Sequence, residues 1–371
     1  MKKILFVIGS MQLGGAEVVL TDIMNNICDK YDITLLLLEK RGPLLKQINK
    51  KINVKYVCLG KEYCKNFFLK FINKVKLSLI YRYFGSKKFF SVFIHKHILN
   101  NTNFDCEVAF LPGILADIVK YSPNKKSKKI AWIHCEVTKE DTKTYNDYLK
   151  ITSGFDSIIA GCEDSIKIFE DTYPAMKGKI ELINNYVDVN KILTFANEEK
   201  VKFDNSKINF ISVGRLVVDK GFDRIINIAT KFENKIVFNI IGDGPEKEKL
   251  CHIIEQNKIT NVKLLGLKTN PYPYIKCADY FFLSSRTEAY PTVVNEAIIL
   301  NKKILATDVP GVKEMLASYN GKIIVSNNDD SLEKGIEDIL NIKGVKISNE
   351  VFIKKNSDIL TKIIRLLDNN N

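Results

Sequence analysis

The chain has 371 residues, 46% of them apolar and 27% charged. That is enough for two domains with real cores, and it excludes a low-complexity or disordered protein. The net charge of +13 lies entirely in residues 1–150, which hold 26 Lys and Arg against 13 acids, while residues 151–371 hold 30 against 30.

The first apolar run, Ile4–Ile8, follows Met1-Lys2-Lys3 like a secretory leader. It stops at Gly9, and no small-residue cleavage site follows, so it reads as a first strand and the protein is expected to stay in the cytoplasm. Runs at 33–38, 52–59, 106–111, 129–133 and 157–160 then alternate with helix-length segments. None is long enough to span a bilayer. The rhythm pauses near 186–206, around the polar Asn197-Glu198-Glu199-Lys200, and restarts with runs at 208–213, 236–241, 262–265, 279–283 and 303–306. Ile359–Leu367 reads as a final helix. Strand–helix alternation of this kind builds parallel sheets covered on both faces. The expected fold is α/β, with Rossmann-like domains at 1–185 and 207–350, a linker at 186–206 and a closing helix within 351–371 that packs back toward the first domain. Two facing domains of this type place the open ends of both sheets at a shared cleft.

Residues 61–100 stand apart as an insertion in the first domain. They carry nine Lys and Arg and one acid, Glu62, interleaved with Phe67, Phe68, Phe71, Tyr81, Tyr83, Phe84, Phe89, Phe90 and Phe93. Such a segment suits an anionic membrane surface; the alternative is a core of aromatics under a solvated lysine face. No nucleic-acid motif accompanies the charge, so nucleic acid is not expected as a partner. The eight cysteines include no Cys-x-x-Cys pair, and several, Cys58 and Cys277 among them, sit in apolar runs, as buried free thiols do. His95-x-His97 has no matching Cys or acidic ligand nearby, and no metal site is expected.

Four segments carry chemistry. Gly9-Ser10-Met11-Gln12-Leu13-Gly14-Gly15 follows the first strand and opens a helix, where backbone N–H groups attract phosphate. By itself it equally describes a tight turn, and its spacing is not that of a dinucleotide fingerprint. Gly214-Arg215…Lys220-Gly221 follows the strand at 208–213 and offers two cations, a combination suited to a diphosphate. Gly242-Asp243-Gly244-Pro245 lies after the next strand, with Pro245 suited to a first helical position and the loop placed to approach a nucleotide. Ser285–Ala297 sets Glu288 before Pro291 and Glu296 after it, the only charged residues between Arg286 and Lys302. The spacing puts Glu288 in a loop and Glu296 over one turn inside the helix that Pro291 starts. Two carboxylates suit hydroxyl-rich groups, and the helix start suits an anion. His134, at the end of the strand at 129–133, is placed to hydrogen-bond a ligand or shuttle a proton. No two aspartates stand two residues apart, so an Asp-x-Asp metal clamp is missing.

Together, Gly14-Gly15-Ala16-Glu17, Gly214-Arg215-Leu216…Lys220-Gly221, Gly242-Asp243-Gly244-Pro245 and Glu288-x7-Glu296 resemble the retaining family 4 glycosyltransferases of GT-B architecture. Ala306–Glu314 looks like that family's next strand-to-helix loop, and Asn185 and Asp188 match its domain-boundary motif. The resemblance implies that Arg215 and Lys220 bind the donor diphosphate, helped by the N–H groups of Thr292 and Val293. Glu288 would hold the donor sugar, Glu296 the ribose, and His134 would lie near the reacting carbon. Gly14 and Gly15 would line the phosphate and acceptor side, and Gly242 and Gly244 the nucleotide side. The family needs no metal and no further cofactor. One departure stands out: Glu288-Ala289-Tyr290-Pro291 replaces the usual Glu-Gly-Phe-Pro.

The resemblance implies sugar transfer from a nucleotide diphosphosugar, UDP favoured, to a glycan acceptor. With the basic insertion it points to an acceptor on polyprenyl diphosphate, at the inner face of a bacterial cell membrane. The alternatives are a sugar-nucleotide 2-epimerase of the same architecture and a non-catalytic sugar-nucleotide-binding protein.

Overall fold

A computed structural model of the chain describes residues 1–60, 87–134, 142–342 and 350–368. It divides into two units, Met1–Tyr186 with Asp358–Asn371, and Val187–Ser357.

The first unit is built on a seven-stranded parallel sheet in the order β3-β2-β1-β4-β5-β6-β7. Its strands are β1 (Lys3–Ile8), β2 (Asp32–Lys40), β3 (Asn53–Leu59), β4 (Cys106–Ala109), β5 (Lys128–Ile133), β6 (Ser157–Ala160) and β7 (Ile180–Leu182). Side chains alternate between the faces of each strand. In β1, Ile4, Phe6 and Ile8 enter one core while Leu5 and Val7 enter the other. The first core is closed by helix α1 (Gly15–Ile27), whose Val19, Leu20, Ile23, Met24 and Ile27 form one helical stripe. The second is closed by α2 (Lys87–His97), α3 (Ile114–Lys120), α4 (Thr142–Leu149) and α5 (Glu163–Thr172).

The second unit has six parallel strands in the order β10-β9-β8-β11-β12-β13. They are β8 (Ile208–Val213), β9 (Ile236–Ile241), β10 (Val262–Gly266), β11 (Tyr280–Leu283), β12 (Lys303–Thr307) and β13 (Lys322–Val325). One face packs α6 (Val189–Phe195), α9 (Tyr272–Cys277), α10 (Thr292–Ile299) and α11 (Val312–Met315). The other packs α7 (Phe222–Ala229), α8 (Lys247–Gln256) and α12 (Asp329–Asn341). The segment expected as a linker, 186–206, contains α6, which joins this core through Val189, Ile192 and Ala196. The last helix, α13 (Glu350–Asp368), delivers Ile359, Ile363, Leu366 and Leu367 to the core of the first unit.

Both sheets reverse direction of growth once, between β1 and β4 and between β8 and β11. Loops at the C-terminal ends of such strands diverge and leave room for a ligand.

The basic aromatic segment falls mostly outside the described residues. Its described end, α2, buries Phe90 and Ile94 and exposes Phe89 at 67% beside Lys87 and Lys88. Cys28, Cys58, Cys106 and Cys162 are buried thiols. Cys277, expected to be buried, is exposed because α9 ends there; its thiol donates to the Val201 carbonyl. Among the described residues no helix is long and apolar enough to cross a membrane.

Candidate active site

The loops after β8 and β11 flank the switch point of the second sheet and lie directly against each other. Arg286 N–H donates to the Asp219 carbonyl at 2.6 Å, and Ser284 Oγ donates to the Lys220 carbonyl at 2.9 Å. Gly221 has φ +65°, and a Cβ there would stand 2.2 Å from the Ser284 carbonyl oxygen. Only glycine permits both that turn and that approach.

Side chains reinforce the contact. Arg286 donates bidentately to Asp223, at 2.7 Å to each carboxylate oxygen, and to the Val218 carbonyl at 2.9 Å. Burial alone would raise the Asp223 pKa, but the Arg286 hydrogen bonds and charge outweigh it, so the carboxyl ends below the usual range. A third loop, after β13, is tied in: Asn327 Nδ2 donates to the Arg286 carbonyl at 2.6 Å, and Arg224 donates to Asn327 Oδ1 at 2.7 Å. Thr307, at the end of β12, donates to the Ser285 carbonyl at 2.6 Å.

This framework brings Lys220 and Glu288 together. Lys220 Nζ lies 2.5 Å from Glu288 Oε1, and Ser285 Oγ donates to the same oxygen at 2.8 Å. The Glu288 side chain is 9% exposed and that of Lys220 27%. Arg215 is exposed on the same loop, with no ion pair among the described residues. Pro291 is the N-cap of α10 rather than its first residue. No side chain caps that helix, so the N–H groups of Thr292 and Val293 are available to an anion. Glu296 lies over one turn inside and is buried.

Gly242 and Gly244 have a packing reason for being glycine. A Cβ on Gly242 would stand 1.9 Å from the Gly214 carbonyl oxygen, and one on Gly244 would stand 2.4 Å from that of Leu216. The loops are zipped by Leu216 N–H to the Asp243 carbonyl at 2.9 Å and Glu246 N–H to the Leu216 carbonyl at 3.0 Å. That zipper holds Pro245 outside α8, which starts at Lys247. Pro245 is therefore not the first helical residue that the sequence pattern indicates.

In the first unit, Gly14 caps α1 and Gly15 begins it, exposed. His134 follows β5 and packs on Phe110, with ring centroids 4.4 Å apart, and on Trp132 at 5.9 Å. Burial disfavours the charged imidazole and lowers its pKa to about 3. Its Nε2 and the Trp132 indole N–H are buried without a hydrogen-bond partner among the described residues. Residues 135–141 lie outside the described residues.

Sequence reasoning missed Ser285, Arg286, Asp223, Arg224 and Asn327 as organisers of the site. The bidentate Arg286–Asp223 pair spans 63 residues of sequence, and no local pattern announces it.

Residues 194–358 match the family model "Glycosyl transferases group 1". That match covers most of the second unit. An uncharacterised glycosyltransferase of Methanocaldococcus jannaschii is 32% identical over 57% of this chain and 56% of its own length, so that match spans little more than half of the relative. A Campylobacter jejuni N-acetylgalactosaminyltransferase acting on a diphospho-undecaprenol-linked sugar is 23% identical over 92% of this chain and 90% of that protein. In fold, the chain is similar to HepE of Anabaena in complex with UDP and glucose, with a TM-score of 0.69 and 16% identity, covering 100% of this chain and 95% of that one. The chain therefore has the GT-B fold, with two parallel-sheet domains.

Proposed function

We propose that the chain is a group 1 glycosyltransferase that moves a sugar from a UDP-sugar to a lipid-linked glycan acceptor, with retention of anomeric configuration and without a metal. The observation that carries the reading is the contact of Lys220 with Glu288 at one switch point, with Arg215 exposed on the same loop as Lys220. Arg215 and Lys220 meet the diphosphate, helped by the open start of α10. Glu288 holds sugar hydroxyls and Glu296 the ribose. Charge developing on the leaving diphosphate is met by these fixed cations and N–H groups, which act most strongly on charge that appears in the transition state.

His134 would work as a neutral hydrogen-bonding group. A pKa near 3 makes it a poor proton shuttle at neutral pH. That also weakens the 2-epimerase alternative, which needs dedicated acid–base groups. The lipid-linked acceptor is inferred from the C. jejuni relative and from the basic first 150 residues, which fit an anionic membrane surface and so the inner face of a bacterial cell membrane. Membrane binding would draw on Phe89, Lys87 and Lys88 together with the segment before them.

The test supplies UDP-sugars and a polyprenyl-diphosphate-linked acceptor and measures released UDP. Glu288→Gln is expected to cut turnover by about 100-fold or more. Arg215→Ala is expected to weaken donor binding by about 1.5–3 kcal/mol. Full activity in both variants sinks the site assignment, and a product with inverted anomeric configuration sinks retention.

A further inference from the structure

Lys220 has a partner within the protein. Its ammonium and the Glu288 carboxylate are in contact at 2.5 Å, and both side chains are largely withdrawn from water. Glu288 Oε1 is engaged twice, by Lys220 and by Ser285, while Oε2 has no hydrogen-bond partner among the described residues. Arg215, the other cation of the loop, is exposed and forms no ion pair there. A diphosphate that takes Lys220 must therefore displace a carboxylate, whereas one that meets Arg215 displaces only water.

We infer that Glu288 is a built-in competitor for the diphosphate, holding Lys220 until a ligand offers hydroxyl groups in exchange. The inference rests on the donor-site reading above. A nucleoside diphosphate without its sugar takes Lys220 and leaves Glu288 with one Ser285 hydrogen bond and an uncompensated charge in a half-dry site. Uncompensated charge of this kind is costly. An intact nucleotide sugar brings hydroxyl donors to Glu288 at the moment Lys220 leaves it, so the carboxylate stays hydrogen-bonded while Lys220 stays ion-paired. The ion pair thus favours intact donor over spent nucleoside diphosphate and helps the product leave. Arg215, free from the start, makes the first electrostatic contact.

This account predicts a tighter product complex when the carboxylate is removed. Binding of UDP and of GDP is measured by calorimetry for the wild-type chain and for Glu288→Gln, Glu288→Ala, Arg215→Ala and Lys220→Met, with thermal unfolding of each as a check of folding. The glutamate variants are expected to bind the nucleoside diphosphate about 3- to 10-fold more tightly than wild type, as freeing the partner of a half-buried ion pair should allow. The cation variants are expected to bind it more weakly. Unchanged or weaker binding in both glutamate variants overturns the competitor role, while weaker binding in the cation variants leaves the donor site standing. Unchanged binding in the cation variants, or a wild-type chain that binds neither nucleotide, overturns the site reading and the inference with it.

Discussion

The two sheets share one topology but arm their strand ends differently. At the C-terminal edge of the second sheet, Lys220, Glu288, Arg286 and Asp223 form a charged, cross-linked surface drawn from two loops, and Asn327 ties in a third. At the same edge of the first sheet stand Gly14, Gly15 and a neutral His134 packed on Phe110 and Trp132. The first domain does bury an ionisable cluster, but at the opposite end of its strands. There Glu107 accepts from Ser122 and Ser127 at 2.7 and 2.8 Å and meets His95 Nε2 at 3.2 Å. The His95 Nδ1 lies 2.9 Å from the Ser91 carbonyl, which only accepts, so Nδ1 carries a proton. On the donor-site reading proposed above, the second domain is the one that meets a charged ligand. Fixed charge at strand ends suits a diphosphate, and the neutral aromatic surroundings of His134 suit a hydroxyl-bearing group.

The sharpest way to break this contrast uses one glycine from each edge. Gly242 follows β9, and any Cβ there runs into the Gly214 carbonyl oxygen at 1.9 Å. Gly9 follows β1, and a Cβ there meets nothing within 4 Å. Gly242→Ala is expected to lose about 2–4 kcal/mol of stability in urea unfolding, because backbone has to move. Gly9→Ala is expected to stay within about 0.5 kcal/mol of wild type. Equal costs at the two positions would show that the close approach of Gly242 to the Gly214 carbonyl does not constrain the loop.

The same contrast explains what the sequence made legible. Strands with several consecutive buried residues, such as Ile236–Ile241, announce themselves as apolar runs. Two strands do not: Ile180–Leu182 and Lys322–Val325 are short, lie at sheet edges and are only partly buried. They are also shorter than the other two edge strands, Asn53–Leu59 and Val262–Gly266, so fewer apolar residues mark them. In the second domain Arg215, Lys220 and Glu288 were visible because charge at a strand-to-helix turn is conspicuous. Arg286 and Asp223 were not, since the function of each exists only through a partner far away in sequence. The packing role of Gly242 was hidden for the same reason: its neighbour, the Gly214 carbonyl, belongs to another loop.

A middle-sized effect is expected from the clasp itself. Asp223→Asn keeps the shape of the side chain and removes half of a bidentate charged pair whose members are about one-third exposed. With that exposure the cost should be about 1–2 kcal/mol at pH 7. The sign with pH follows from the depressed Asp223 pKa. Stability from this group is fully present above the ordinary aspartate value of about 3.9 and is lost as pH falls through the lower folded value. Urea unfolding at pH 7 and pH 3 should show the gap between wild type and Asp223→Asn narrowing in acid. A gap that stays constant would mean the clasp contributes shape and no charge.

The smallest effect belongs to His134 and acts in a different pH window. An unfolded histidine takes its proton near pH 6.5, whereas this one resists it down to about pH 3, because burial beside Phe110 and Trp132 strips water from the charged form. The unfolded chain therefore binds more protons than the folded one between those limits, and stability must fall as pH falls through them. From pH 7 to pH 6 the loss should be about 0.5–1 kcal/mol, and His134→Gln should remove it. The imidazole carbon resonances of His134 should stay at their neutral positions from pH 8 to pH 5. A histidine that titrates near 6.5 would carry charge at the first domain's edge under mild acid. The contrast between the charged Lys220–Glu288 site and a neutral His134 would then hold only at higher pH, and the assignment of His134 as a neutral hydrogen-bonding group would fail.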